Sequence, residues 1–178
     1  MPNNGEFKPK TVKRTVSIEI EVDEEDVSCL LANAIILSEG SFAWFGYDDH
    51  EYEEARAQLI AERKPDSDDE ICLEDVMARL LFNGHRLRLL DSGSDWWWKG
   101  HKGEMLWKAQ IVAEGLEPEG GEWHEVGLQD ILDALPKYAM SHCCNDCGAD
   151  LRHINECGDS LDADAILQFA AFGELIYG

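Results

Sequence analysis

Leu73-Glu74-Asp75-Val76-Met77-Ala78-Arg79-Leu80-Leu81-Phe82, then Asn83-Gly84, then Arg86-Leu87-Arg88-Leu89-Leu90, sets a helix, its stop signal and a strand side by side. The first ten residues return apolar side chains at helical spacing, which is the pattern of a helix packed on one face. Asn83-Gly84 ends it, because both residues tolerate the backbone that follows a helix terminus. The Arg86–Leu90 run reads as a strand that turns at Asp91-Ser92-Gly93.

Working outward, Val16, Ile18, Ile20 and Val22 alternate with Ser17, Glu19 and Glu21, the pattern of a strand with one buried face. Asp23 follows as an N-cap, with Glu24, Glu25 and Asp26 in a first turn where the helix dipole favours negative charge. Val27, Leu30, Leu31, Ala34 and Ile35 continue that helix, and Gly40 is placed to end it. Residues 41–47 read as a buried strand or a packed aromatic turn. A polar helix is expected over about 51–64, closed by Pro65, and an acidic loop over 66–70. A second acidic, Gly-rich loop is expected over 114–125. Leu128 to Met140 is helical with Pro136 as a kink, and residues 161–177 form a last apolar helix. The expected fold is α+β, a small and mainly antiparallel sheet packed with four to five helices. Residues 1–13 are expected to be a flexible basic arm, and 14–178 a single acidic domain.

Composition narrows the partners. The chain carries 15 Lys and Arg against 37 Asp and Glu, a formal net charge of −22. Residues 1–18 hold Lys8, Lys10, Lys13 and Arg14 against Glu6 alone, which leaves −25 on the other 160 residues. Such a surface repels nucleic acid and anionic membrane and attracts basic protein surfaces. The start of the chain has no apolar core of a secretory signal, and no run of about 18 apolar residues is present to span a membrane. Acidic clusters at Asp48, Asp49, Glu51, Glu53 and Glu54, and at Asp66, Asp68, Asp69 and Glu70, are candidates for contact with a basic partner. Trp96, Trp97 and Trp98 are candidates for an apolar anchor, since tryptophan is enriched in binding hot spots. Strand alternation sends Trp97 to the face opposite Trp96 and Trp98.

Four of six cysteines crowd into residues 142–157. Cys144-x2-Cys147-Gly148, with His153 and Cys157 downstream, has the shape of a zinc knuckle, a closed Cys3His site that would be structural. Its 2-5-3 spacing departs by one residue from the retroviral knuckle, and His142 and Cys143 are alternative ligands. Acids on every side argue against phosphate contact there. No nucleophile elbow, phosphate loop, dinucleotide fingerprint or metalloprotease motif occurs, so the expectation is a binding protein and not an enzyme.

The run Ala163-Asp164-Ala165-Ile166-Leu167-Gln168-Phe169-Ala170-Ala171-Phe172-Gly173-Glu174-Leu175-Ile176-Tyr177-Gly178 resembles the ending of small acidic phage- and prophage-encoded proteins of uncharacterised function. Ala34 to Tyr47 looks like a turn those proteins carry, with Glu39-Gly40 and Ala43-Trp44 where they have Gly-Gly and Tyr-Trp. The resemblance implies a phage or mobile-element origin and, by analogy with anti-CRISPR and anti-restriction proteins, action in the cytoplasm of a bacterial host. The expected function is inhibition of a nucleic-acid-targeting defence complex by occupying its basic groove. The alternative is a zinc-stabilised interaction module without nucleic-acid mimicry.

Overall fold

The computed structural model describes residues 20–36, 40–65, 67, 70–104, 114–141, 150–157 and 159–177. The opening stretch folds as read. Helix α3 (Leu73–Phe82) buries Val76, Met77, Ala78, Leu80 and Leu81, and leads through a turn at Asn83-Gly84 into strand β2 (Leu87–Asp91). Helices α1 (Glu24–Leu31) and α2 (Asp49–Arg63) both pack on α3. Strand β1 (Phe42–Gly46) precedes α2 and pairs antiparallel with β2. Beyond β2 come β3 (Trp96–Trp98), β4 (Pro118–Gly120), β5 (Trp123–Val126), α4 (Leu128–Ser141), α5 (Leu151–Cys157) and α6 (Ser160–Phe172). The architecture is α+β: a three-stranded antiparallel sheet in the order β1-β2-β5, a two-stranded β3-β4 sheet, and six α-helices among the described residues. None of these helices is long and apolar enough to cross a membrane.

Four details differ from the expectations, the first being that the last helix, expected over 161–177, ends at Phe172. Ile20 to Val22 are not in a strand, although Ile20 and Val22 pack against the core, and residues 16–19 lie outside the described residues. The helix after Asp23 widens into a π-turn over Ala32–Ile36 instead of running on as α-helix towards Gly40. Residues 114–125 are not a loop throughout, since they supply β4 and the start of β5.

The charged residues do local work at element junctions. Asp23 caps α1 and exchanges hydrogen bonds with Asp26: the Asp26 amide donates to Asp23 at 2.9 Å, and the Asp23 amide donates back at 3.3 Å. That backbone donor holds the Asp23 carboxyl below its ordinary range, helped by Arg152. Arg79 on α3 forks onto Glu24 of α1, at 2.6 and 3.0 Å, and onto Glu62 of α2, at 2.7 and 3.1 Å. The guanidinium hydrogen bonds hold Glu62 below its ordinary range.

Strand alternation gives the three-stranded sheet two different faces. Leu87, Leu89 and Val126 point to the helices and belong to the main apolar core. Leu90 is equally buried but lies outside that core, on the opposite face with Trp44 and Trp123, its neighbours in register.

Helix α6 packs against α4, the π-turn and β5, and Ala163 to Phe169 are all buried. Two of these seven residues are polar, and they hold the chain's end in place. Asp164 accepts from the Ser41 amide at 2.8 Å, from the Ser41 hydroxyl at 2.6 Å and from the Gln168 side-chain amide at 2.8 Å. Gln168 also donates to the Tyr177 carbonyl at 2.9 Å and accepts from the amides of Ile176 and Tyr177 at 2.9 and 2.8 Å. Gly173, at φ 81°, ends α6 in the left-handed conformation that reverses the tail. The Tyr177 hydroxyl then donates to Asp91 at the end of β2, at 2.6 Å.

Truncating Asp164→Ala leaves three buried donors without an acceptor. The expected loss is about 3 kcal/mol of unfolding free energy, read from urea denaturation with an unchanged slope. A loss below about 1 kcal/mol would show that the network carries no weight. The depressed carboxylates Asp23 and Glu62 add stability above their ordinary values of 3.8 and 4.5, and that stability is lost as pH falls through and below those values. Acid titration of Arg79→Met is expected to show a shallower loss over that range than the unsubstituted chain; identical curves would contradict the assignment.

Candidate binding face

The face of the sheet turned away from the helices is built from Arg88, Leu90, Trp44, Gly46 and Trp123. Gly46 lies opposite Arg88 in register, and the missing side chain is the point: a Cβ there would stand 3.2 Å from the Arg88 guanidinium. Arg88 instead lies over the Trp123 ring, 5.3 Å from its centroid. This is a cation–π arrangement held by two neighbouring strands. Arg63, Arg79, Arg86 and Arg152 each meet a carboxylate, at 2.6 to 3.0 Å. Arg88 meets none among the described residues, so its donors remain available.

Around Arg88 opens a broad, shallow cleft of about 660 Å³, walled by Trp44, Tyr47, Leu116 and Trp123, with Asp49 at its edge. Tyr47 stacks on Tyr52 of α2 at 4.6 Å, and burial pushes both phenols above their usual range. A second cleft, about 400 Å³ between α1 and α5, also contains an arginine, but Arg152 there is already paired with Asp23 and Asp26.

The tryptophan run divides as alternation requires. Trp98 is buried and meets Trp44 and Trp96 edge-on, at centroid distances of 4.9 and 5.4 Å. These rings form a small second core that joins the two sheets. Trp97 points the other way, half-buried, with its indole N–H donating to Glu119 at 3.2 Å and Lys102 seated 3.9 Å above its ring. Trp97 is therefore the member of the three on the outer surface, while Trp96 and Trp98 are packing residues.

The acidic candidates also separate. Asp48 is the N-cap of α2, accepting from the His50 and Glu51 amides at 3.0 and 3.1 Å. Glu51 pairs with His85 at 3.0 Å. Asp49, Glu53 and Glu54 are exposed on the first turns of α2, and Glu70 is exposed before α3. Asp66, Asp68 and Asp69 lie outside the described residues. So do Cys144 and Cys147, with the alternative ligands His142 and Cys143. His153 and Cys157 fall within the backbone of α5. Cys29 and Cys72 are exposed free thiols.

In the C-terminal run, Asp164, Gln168, Gly173 and Tyr177 form the latch described above. Sequence reading missed Arg88, Gly46 and Trp123. The available signal was the alternation of Arg86-Leu87-Arg88-Leu89, which turns Arg88 away from the face that buries Leu87 and Leu89.

No family model, curated protein or solved structure matches this chain.

Replacing Trp98 with alanine removes the keystone of the second core and is expected to cost about 3–5 kcal/mol. The same change at Trp97 is expected to cost under about 1 kcal/mol. Chemical denaturation of both variants tests the division; equal losses would contradict it.

Proposed function

We propose that this chain is a phage-type acidic accessory protein that binds and inhibits a host nucleic-acid-targeting defence complex. It occupies the basic surface that would otherwise hold nucleic acid, and it acts by binding and not by catalysis. The observation that carries this reading is the position of Asp49. It starts the exposed acidic flank of α2, with Glu53 and Glu54, and it also edges the aromatic cleft of Trp44, Tyr47 and Trp123. Charge and apolar anchor are thus continuous on one surface.

The division of labour follows from physics. An anionic flank on a body of net charge −22 accelerates encounter with a cationic groove and orients it. Aromatic rings in a shallow cleft then slow dissociation by desolvated contact. Lys- and Arg-lined grooves built for a polyanion are the natural complement of such a surface.

The test is competition. Purified DNA- or RNA-cleaving defence complexes are loaded with labelled nucleic acid, and this protein is titrated in. Displacement that weakens as salt rises is expected, because exposed charges are screened beyond about 10 Å at 0.1 M salt. Asp49→Lys combined with Glu53→Lys and Glu54→Lys should slow association, and Trp123→Ala should speed dissociation. Displacement that is indifferent to salt and to the charge reversals, or no displacement from any such complex, would refute the proposal.

A further inference from the structure

The opposite face of the same sheet holds a second group of convergent polar side chains that the binding face does not use. Asp91 ends β2 and faces Glu122, which precedes β5; the Asp91 amide donates to the Glu122 carbonyl at 2.9 Å. His124 lies two residues further along β5, so its side chain projects from the same face as Glu122. One ligand atom from each of Asp91, Glu122 and His124 lies within 4.8 Å of the other two.

Each of the three has unused capacity. Asp91 spends one oxygen, Oδ1, on the Gly93 amide at 2.8 Å and the Tyr177 hydroxyl at 2.6 Å, and Oδ2 receives no donor among the described residues. The Glu122 carboxylate is exposed and has no ion pair or hydrogen bond among them. Nε2 of His124 is buried and has no hydrogen-bond partner, and it is the one such buried side-chain atom among the described residues. An imidazole nitrogen shut away from water without a partner is destabilising, so its burial here calls for a partner. Phe172 meets the ring edge-on at 4.6 Å and restricts its orientation.

We infer that Asp91, Glu122 and His124 form a binding site for a divalent transition-metal ion. Two carboxylates and one imidazole make an oxygen-rich N/O donor set that suits Mn²⁺ or Zn²⁺. Bonds of about 2.0–2.2 Å to one ion span the cluster after a small inward shift of the exposed Glu122. Tyr177 and the Gly93 amide orient Asp91 from outside, the arrangement in which ligating carboxylates are themselves hydrogen-bonded. Three protein ligands leave the ion open to water. The ion would join β2 to β5 and, through Tyr177, to the C-terminal latch, so binding and tail docking are coupled. The site uses none of the residues of the cysteine-rich segment.

The experiment titrates the full-length chain with Mn²⁺, followed by electron paramagnetic resonance and calorimetry, and repeats it with Zn²⁺. Mn²⁺ is chosen because thiolates compete poorly for it. One saturable Mn²⁺ equivalent is expected, with a rise in melting temperature. Glu122→Gln, a change at an exposed side chain, should weaken Mn²⁺ binding by more than the roughly tenfold that loss of an outer partner costs. Tyr177→Phe should weaken it by about tenfold. Cys144→Ser with Cys147→Ser should leave it unchanged. Circular dichroism confirms that each variant is folded, and His124→Gln gives a second ligand variant should one fail. No saturable Mn²⁺ binding, Mn²⁺ binding unaffected by both Glu122→Gln and His124→Gln, or Zn²⁺ binding lost only with the cysteines would each overturn the assignment.

Discussion

A chain with 37 acidic residues and 15 Lys and Arg must fold against its own repulsion, and this constraint decides where the few cations stand. Arg79 gathers carboxylates from α1 and α2 onto α3. Arg63 reaches from the end of α2 to Asp75 on α3 at 2.9 Å, and Asp75 also accepts from Ser28 of α1 at 2.9 Å. Arg86 ties the approach of β2 to Asp130 of α4 at 2.7 Å, and Arg152 ties α5 to the cap of α1. Exposed pairs of this kind contribute little singly. Arg79 differs because its side chain is only 13% exposed and forks onto two acids. The pairs relieve repulsion where elements meet.

The sheet separates two kinds of order. On its helical side, apolar packing is combined with a polar latch in which Asp164 and Gln168, both buried, determine where Ser41 and Tyr177 lie. A buried carboxylate survives only when its oxygens are satisfied, and here three donors converge on it. On the outer side, Trp44, Trp96 and Trp98 pack with Leu90, and Arg88 lies between Gly46 and Trp123 without a carboxylate. The C-terminal run from Ala163 to Tyr177 thus works on the helical side, in holding the tail, while the surface proposed for binding is assembled elsewhere.

Much of the fold was legible because periodicity reports which side chains are buried. The α3–β2 passage, the Asp23 cap, the α4 helix and the body of α6 follow from spacing and caps, whereas 41–47 read equally as a strand or an aromatic turn. What spacing cannot report is pairing. Pro118-Glu119-Gly120 has poor strand propensity, and it is a strand because Trp96 to Trp98 lie opposite it, a tertiary effect overriding a local one. Ile20 and Val22 alternate and do face the core, yet alternation alone could not say whether a ladder forms there. The cleft was invisible for the same reason. Gly46 has meaning only opposite Arg88, and that register is not written in either segment. His124 reads as a lone histidine until Asp91 is set across the sheet from Glu122. The triplet Trp96 to Trp98 was half legible: alternation separated Trp97 from its neighbours, but only the fold shows that Trp98 is the buried one.

The acidic flank of α2 and the aromatic cleft matter to function if they are covered together. Hydrogen exchange on this protein, free and bound to a nucleic-acid-cleaving defence complex, measures that directly. Joint protection of residues 44–54, 88 and 116–123 is the predicted footprint. Protection confined to the α1–α5 cleft around Asp23 and Arg152, with residues 44–54 and 116–123 exchanging as in the free protein, would contradict it.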